Sequence, residues 1–234
     1  MYDTNTRNNS KIYRIRMNLP KQLKCIIFDM DGVIINSEEI HKKAYYETFI
    51  SMGVEVSDEL YKTLTGSSTI NAFQKLVAHF DLNVNPEELV LEKRKRYVNF
   101  FENSSNLHLV KGVEEFIKYS FNKGLTLVLA SSSAMVNIDR VFNRFNLNSY
   151  FTAKISGADL RTSKPHPEIF EKAAVLGKSE KKHCIVIEDS DNGIKSANDA
   201  GIIVVGYKNP MVKDQTLKNA NFVIDSFDEL RIHV

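Results

Sequence analysis

Two aspartates separated by one residue carry the first chemical signal in this chain: Asp29 and Asp31, in the run Asp29-Met30-Asp31-Gly32. They directly follow Cys25-Ile26-Ile27-Phe28, an apolar run that reads as a strand buried on both faces. In an open α/β sheet, ligands bind just beyond the carboxyl ends of the strands. Two carboxylates that close raise each other's cost of ionisation, and a divalent cation removes that cost. Mg2+ suits hard oxygen ligands of this kind. A calcium loop is excluded, because Val33 and Ile34 stand where an acidic or amide residue and a glycine are needed.

Polar residues follow two further buried runs. Leu125-Thr126-Leu127-Val128-Leu129-Ala130 ends in Ser131-Ser132-Ser133, and Cys184-Ile185-Val186-Ile187 ends in Glu188-Asp189-Ser190. Each alone could be a helix cap. In a parallel sheet, however, all these ends lie along one edge, so three strands bring acids and a hydroxyl to one crevice. The loop Ser163-Lys164-Pro165-His166-Pro167 adds a cation stiffened by two prolines. Beside three acids and a metal, Lys164 would attract a dianionic group such as a phosphate monoester.

The elements that must position these groups are legible from periodicity. Ser37 is expected to N-cap a helix starting near Glu38 and ending at Met52-Gly53. Further helices are expected from Ser57 to Gly66, from Ser68 to Phe80, and from Pro86 to about Phe101. From Val110 the pattern alternates. Helices are expected at Val113 to Lys123, Val136 to Phe145, Pro167 to Leu176 and Asn192 to Ala200. Strands are expected at 125–130, Phe151 to Ile155, Cys184 to Ile187, Ile202 to Val205 and Phe222 to Ile224. This predicts an α/β fold: a Rossmann-like parallel sheet with helices on both faces and a small α-helical bundle inserted after the first strand. The expected division is a disordered leader over 1–20, a core of 21–36 and 107–234, and a helical cap over 37–106.

Composition sets the outer limits. The 234 residues are 43% apolar and 26% charged, with a net charge of +2. That balance gives no case for nucleic acid or a membrane surface, so neither is expected as a partner. The cluster Lys93-Arg94-Lys95-Arg96 reads as a solvated helix face. No apolar run approaches the ~18 residues of a membrane span. Met1 to Pro20 contains no secretory h-region. Cys25 and Cys184 read as buried thiols in a reducing cytosol, a disulfide being the alternative, and a cytoplasmic monomer is expected. His79, His108, His166, His183 and His233 show no metal-ligand spacing.

Taken in this order, the four polar clusters resemble the motifs of the haloacid dehalogenase superfamily over roughly residues 22 to 228. The helical block between the first two resembles the small cap of its β-phosphoglucomutase and sugar-phosphate phosphatase branch. The resemblance implies a mechanism. Asp29 would be the nucleophile, forming an aspartyl-phosphate, and Asp31 the general acid and base. Mg2+ would be held by the Asp29 carboxylate, the Asp31 carbonyl and Asp189, with Glu188 beside it. Ser131 and Lys164 would bind the transferring phosphoryl oxygens, with backbone N–H groups near Met30, Asp31 and Ser132 completing the cradle. The true dehalogenases of the superfamily lack the second aspartate, so Asp31 argues for phosphoryl transfer.

Within that branch two activities compete. His41 matches a hinge histidine of the mutases, with a solvent-facing histidine as the plain alternative. The mutases also present a lysine and an arginine from the cap to a second phosphate. Here Leu64-Thr65-Gly66-Ser67-Ser68-Thr69 places Thr65 and Thr69 at those positions. Two missing cations forfeit charge-assisted hydrogen bonds of ~1.5–3 kcal/mol each. Hydrolysis of a small sugar phosphate is therefore favoured over isomerisation, although Lys42, Lys43 or Lys62 could supply a cation from another position. Gly66 and Thr69 are expected to touch the leaving group, with hinges near 36–40 and 103–110. A catalytically idle binding module is disfavoured, because clustered charges destabilise a fold that binds nothing.

Overall fold

Six runs of aliphatic residues form one parallel sheet in the computed structural model, which describes residues 19–64, 67–212 and 215–231. The strands are β1 (Cys25–Phe28), β2 (Thr126–Ser131), β3 (Ala153–Ser156), β4 (Cys184–Glu188), β5 (Ile203–Tyr207) and β6 (Phe222–Ile224), in the order β3-β2-β1-β4-β5-β6. The order reverses between β1 and β4, which is where such a sheet opens a crevice at its carboxyl edge. Phe28 is level with Leu129 of β2 and Ile187 of β4, so the residues that follow emerge side by side.

Both faces are covered. Ile26, Phe28, Leu127, Leu129 and Ile187 pack against α5 (Val113–Asn122), α6 (Met135–Arg144) and α9 (Phe227–Arg231). On the other face, Cys25, Ile27, Val128, Ala130 and Val186 pack against α7 (Glu168–Leu176) and α8 (Asp191–Asp199). This two-sided burial explains why the strands are apolar runs with no alternation. Cys25 and Cys184 are register partners on neighbouring strands, buried and free. No helix among the described residues is long and apolar enough to cross a membrane.

Residues 38–103 hold α1 (Glu38–Met52), α2 (Asp58–Lys62), α3 (Thr69–His79) and α4 (Pro86–Asn103). They share a separate core of Tyr45, Phe49, Tyr61, Phe73, Leu76 and Leu89. Ser57, Ser68 and Asn85 cap α2, α3 and α4 through their side chains, and Gly53 ends α1 in the left-handed region at φ 70°. The two connections to the sheet run together: Asn36 N–H donates to His108 O at 3.2 Å, and Val110 N–H to Ile34 O at 2.9 Å.

Two expectations need correction, and one short helix lies beyond them. Ser37 occupies the N-cap position of α1 but caps nothing with its side chain, which turns to the site instead. Lys93, read as part of a solvated face, is 2% exposed because Leu89, Lys93, Tyr97 and Phe101 fall four residues apart on the inward face of α4. Helix α9, only five residues long, lacks the length that makes periodicity visible. Residues 1–18 of the expected leader, together with Thr65, Gly66 and His233, lie outside the described residues. Leu19 packs against the core.

Candidate active site

The carboxyl ends of β1, β2 and β4 open into a cavity of about 830 Å³. Asp29, Asp31, Ser131, Ser132, Glu188 and Asp189 line it from the sheet, and His41 and Thr69 from the helical insertion. The described candidate catalytic, metal and substrate-binding residues, Lys164 apart, thus border one space. After β1 the chain folds tightly, with Gly32 N–H bonded to Ile35 O at 2.8 Å and Ile34 N–H to Met30 O at 2.8 Å. Gly32 has φ 88°, and any Cβ there would overlap the Asp189 carboxylate. A glycine is therefore needed both for the turn and for the approach of Asp189.

Asp29 lies at the cavity floor, 6% exposed. Lys164, 1% exposed, donates to Asp29 Oδ1 at 2.5 Å, Glu188 Oε1 at 2.8 Å and the Ala130 carbonyl at 3.0 Å. Those three acceptors match the three hydrogens of an ammonium. Glu188 Oε2 accepts from Asp189 N–H, Ser190 N–H and Ser190 Oγ. A Cβ at position 193 would overlap the Glu188 carboxylate, so Gly193 gives it room. Burial raises the Asp29 carboxyl above the usual range, opposed by Lys164 and reinforced by Glu188 and Asp31. Burial, Glu188 and Asp29 likewise raise Asp189. Three carboxylates against one ammonium leave an excess of negative charge, and oxygen donors so arranged fit a hard divalent cation. Among the described residues no three His, Cys, Asp or Glu side chains form a ready cage. The expected ligand set draws on the side chains of Asp29 and Asp189 and the Asp31 carbonyl, with Glu188 beside the metal directly or through water.

Asp31 stands in a different environment. Ser37 Oγ donates to its Oδ1, Ser133 Oγ to its Oδ2 at 2.8 Å, and His41 Nε2 lies 3.1 Å from Oδ1. Burial pushes this carboxyl up, but His41 and the two hydroxyls outweigh it and hold Asp31 below the usual range. Lys93 Nζ is 2.7 Å from His41 Nδ1. An ammonium only donates, so Nδ1 accepts and Nε2 carries the hydrogen that Asp31 receives. The Tyr97 ring lies 4.4 Å from the imidazole, tilted 34° to it. The solvent-facing alternative for His41 is thereby excluded. Ser131 Oγ accepts Ser133 N–H at 3.0 Å, which orders the triple-serine turn.

The family model of haloacid dehalogenase-like hydrolases matches residues 26–207. The chain belongs to the haloacid dehalogenase-like hydrolases. Hexitol phosphatase B from Escherichia coli O157:H7 is 31% identical over 219 residues, covering 92% of this chain and 97% of that one. The crystal structure of β-phosphoglucomutase from Clostridium difficile is 27% identical and superposes with TM-score 0.79, covering 89% and 93%. CbbY from Rhodobacter sphaeroides, solved with phosphate, shares the fold at 24% identity and TM-score 0.79, covering 89% and 96%.

Within this haloacid dehalogenase-like frame, two of the expected site residues are already engaged by protein partners. Lys164 spends its donors on Asp29, Glu188 and Ala130, so it holds the carboxylates in place and does not border the cavity. Glu188 is engaged on both oxygens, by Lys164 on one and by the N–H groups of the β4–α8 turn on the other. Lys42 and Lys62 do border the cavity, but Lys42 is paired with Asp58 at 2.9 Å, and Lys43 lies over the Phe100 ring. The sequence pattern places Lys93 on a solvated face and gives no role to Ser133 or Gln215. The signal that would have placed Lys93 inward is its four-residue spacing from Leu89 and Tyr97. Ser133 and Gln215 carried no comparable signal.

Proposed function

We propose that this chain is a Mg2+-dependent phosphatase acting on small sugar or polyol monophosphates through an aspartyl-phosphate on Asp29. The observation that carries the reading is the contrast between two aspartates two residues apart. Asp29 is clamped by Lys164 with its carboxylate at the cavity floor. Asp31 faces the same cavity under three polar partners that govern its proton. One aspartate is thus fixed for attack and the other for proton transfer.

An Asp29 oxygen attacks phosphorus as the ester P–O bond breaks, and Asp31, which takes up a proton once the charge of the bound phosphoryl group raises its pKa, gives that proton to the leaving oxygen. Asp31 then takes a proton from water, the water oxygen attacks phosphorus, and the Asp29 carboxylate is released with inorganic phosphate. The donors from Ser37, Ser133 and His41 stabilise the Asp31 carboxylate left by the first transfer. Ser131 and nearby backbone N–H groups receive the phosphoryl oxygens. Asp29, the Asp31 carbonyl and Asp189 would hold Mg2+, which would supply charge neutralisation for the phosphoryl group. Residues 37–106 form a cap that excludes bulk water when it shuts over Asp29.

Hydrolysis is favoured over isomerisation because the insertion offers a second phosphate little uncompensated charge. Lys42 is paired with Asp58, and Thr69 is hydrogen-bonded to Tyr45. The likeness to a hexitol phosphatase supports the same reading. The test is a product assay with Mg2+ on a panel of sugar and hexitol monophosphates, including β-glucose 1-phosphate with a trace of the 1,6-bisphosphate. Free phosphate, lost in Asp29→Asn, is the expected result. Glucose 6-phosphate with little free phosphate would establish the mutase instead.

A further inference from the structure

Glu38 borders the cavity from the first turn of α1, and no step of the proposed reaction uses it. Its Oε1 accepts the Tyr61 hydroxyl at 3.1 Å. Tyr61, on α2, is 5% exposed and packs edge-on against Tyr45 at 5.8 Å, so its hydroxyl is a fixed peg that aims the carboxylate. Tyr45 in turn hydrogen-bonds Thr69, and all four residues face the cavity. The wall of the insertion therefore presents a carboxylate and several hydroxyls, held by rings that lose little entropy on binding.

This wall suits one kind of ligand. A carboxylate partly stripped of water is stabilised by hydrogen-bond donors and repels anions. The phosphoryl group belongs at Asp29 on the cavity floor. The part of the substrate that meets Glu38 is then the leaving group, and it must supply donors. Burial, with the nearby charge of Asp31, pushes the Glu38 carboxyl up to about 7 against the opposing hydrogen bond from Tyr61. We propose that Glu38, aimed by Tyr61, accepts hydrogen bonds from hydroxyls of the leaving group and so selects polyhydroxylated phosphate esters over apolar ones. This rests on the phosphatase reading above, and it assigns the residue that reads the substrate's carbon chain.

The plain alternative is that Glu38 only stabilises the first turn of α1. That role would change turnover of every ester together. The discriminating quantity is therefore a ratio: kcat/KM for a hexitol 6-phosphate divided by kcat/KM for phenyl phosphate, both at saturating Mg2+. Exchanging a charge-assisted hydrogen bond for a neutral one is worth about fivefold or more in that ratio. In both Glu38→Gln and Glu38→Ala the ratio is expected to fall at least that far. If Glu38→Ala does not fold, Glu38→Gln, which keeps the volume, decides alone. A smaller fall overturns the assignment while leaving the phosphatase reading intact. Wild-type protein that releases phosphate from neither ester overturns the phosphatase reading, and the assignment with it.

Discussion

Gln215 and Asp189, 26 residues apart, are joined by a hydrogen bond from the Gln215 amide to the Asp189 carbonyl at 2.9 Å, with the Asp189 carboxylate 3.4 Å away. Gly32 closes the other side of that carboxylate. The amide oxygen of Gln215 is buried without a hydrogen-bond partner among the described residues, so its position is set by the nitrogen alone. Partners behind a metal-binding carboxylate tune affinity by about 10–100-fold. Gln215→Ala should weaken Mn2+ binding, followed by electron paramagnetic resonance without substrate, by about tenfold or more. Affinity equal to wild type would mean that Asp189 is held by Gly32 and its own turn.

The contrast between Asp29 and Gln215 shows what can be read from the sequence alone. Cys25 to Phe28 is buried on both faces, so its apolar run announces a central strand, and chain direction alone then puts Asp29 and Asp31 at the carboxyl edge. Ser131 and Asp189 follow by the same rule, because each lies within one residue of a strand end. Gln215 sits in irregular chain between β5 and β6, where no period exists, and its contact is non-local. Lys93 was hidden by its charged neighbours, although four-residue spacing placed it inward. Side-chain choices were also illegible. Ser37 could cap α1 or bind Asp31, and only the three-dimensional approach of Asp31 decides between them. Lys164 was identified as a cation near the site, but its depth and its pairing with Glu188 depend on how the 163–167 loop folds under β1.

Lys164 should be as important to stability as to chemistry. Its ammonium is enclosed by Asp29, Glu188 and Ala130, with the Phe170 ring 4.8 Å away. Removing one partner of a buried ion pair leaves uncompensated charge and costs about 3–5 kcal/mol. Lys164→Ala is expected to lower the urea unfolding free energy of the metal-free protein by that amount. Adding Glu188→Gln should restore part of the loss. A single variant as stable as wild type would show that the pair carries no such constraint.

The insertion is also tied to the core beside Lys164. Asn71 of α3 donates to Ser163 Oγ at 2.7 Å across 92 residues of sequence. One such bond contributes about 1 kcal/mol, or roughly fivefold in an opening equilibrium. Asn71→Ala should therefore speed amide hydrogen exchange in α3 about fivefold, with little effect on β1 and β4. Equal acceleration in the sheet would point to global destabilisation instead.

Lys93 gives a stability test with a definite sign. It faces His41, the rings of Tyr45 and Tyr97, and the more distant charges of Asp31, Glu38 and Arg94. Burial dominates and lowers its pKa from 10.5 to about 8. Between those values the unfolded chain binds the proton that the folded chain has released, so this group makes stability rise with pH across that window. Below about pH 8 both states are protonated, and the full cost of a buried ammonium is present. One pKa unit corresponds to about 1.4 kcal/mol, so the change across the window is on the order of 3 kcal/mol. Lys93→Met keeps most of the length of the side chain and removes the charge. Urea unfolding of both proteins at pH 7.5 and pH 10 isolates Lys93, because the other titrating groups cancel in the difference. Wild type should gain stability relative to Lys93→Met as pH rises from 7.5 to 10. A difference that stays constant, or moves the other way, would mean that Lys93 keeps its proton across the window, held by Asp31 and Glu38 against burial.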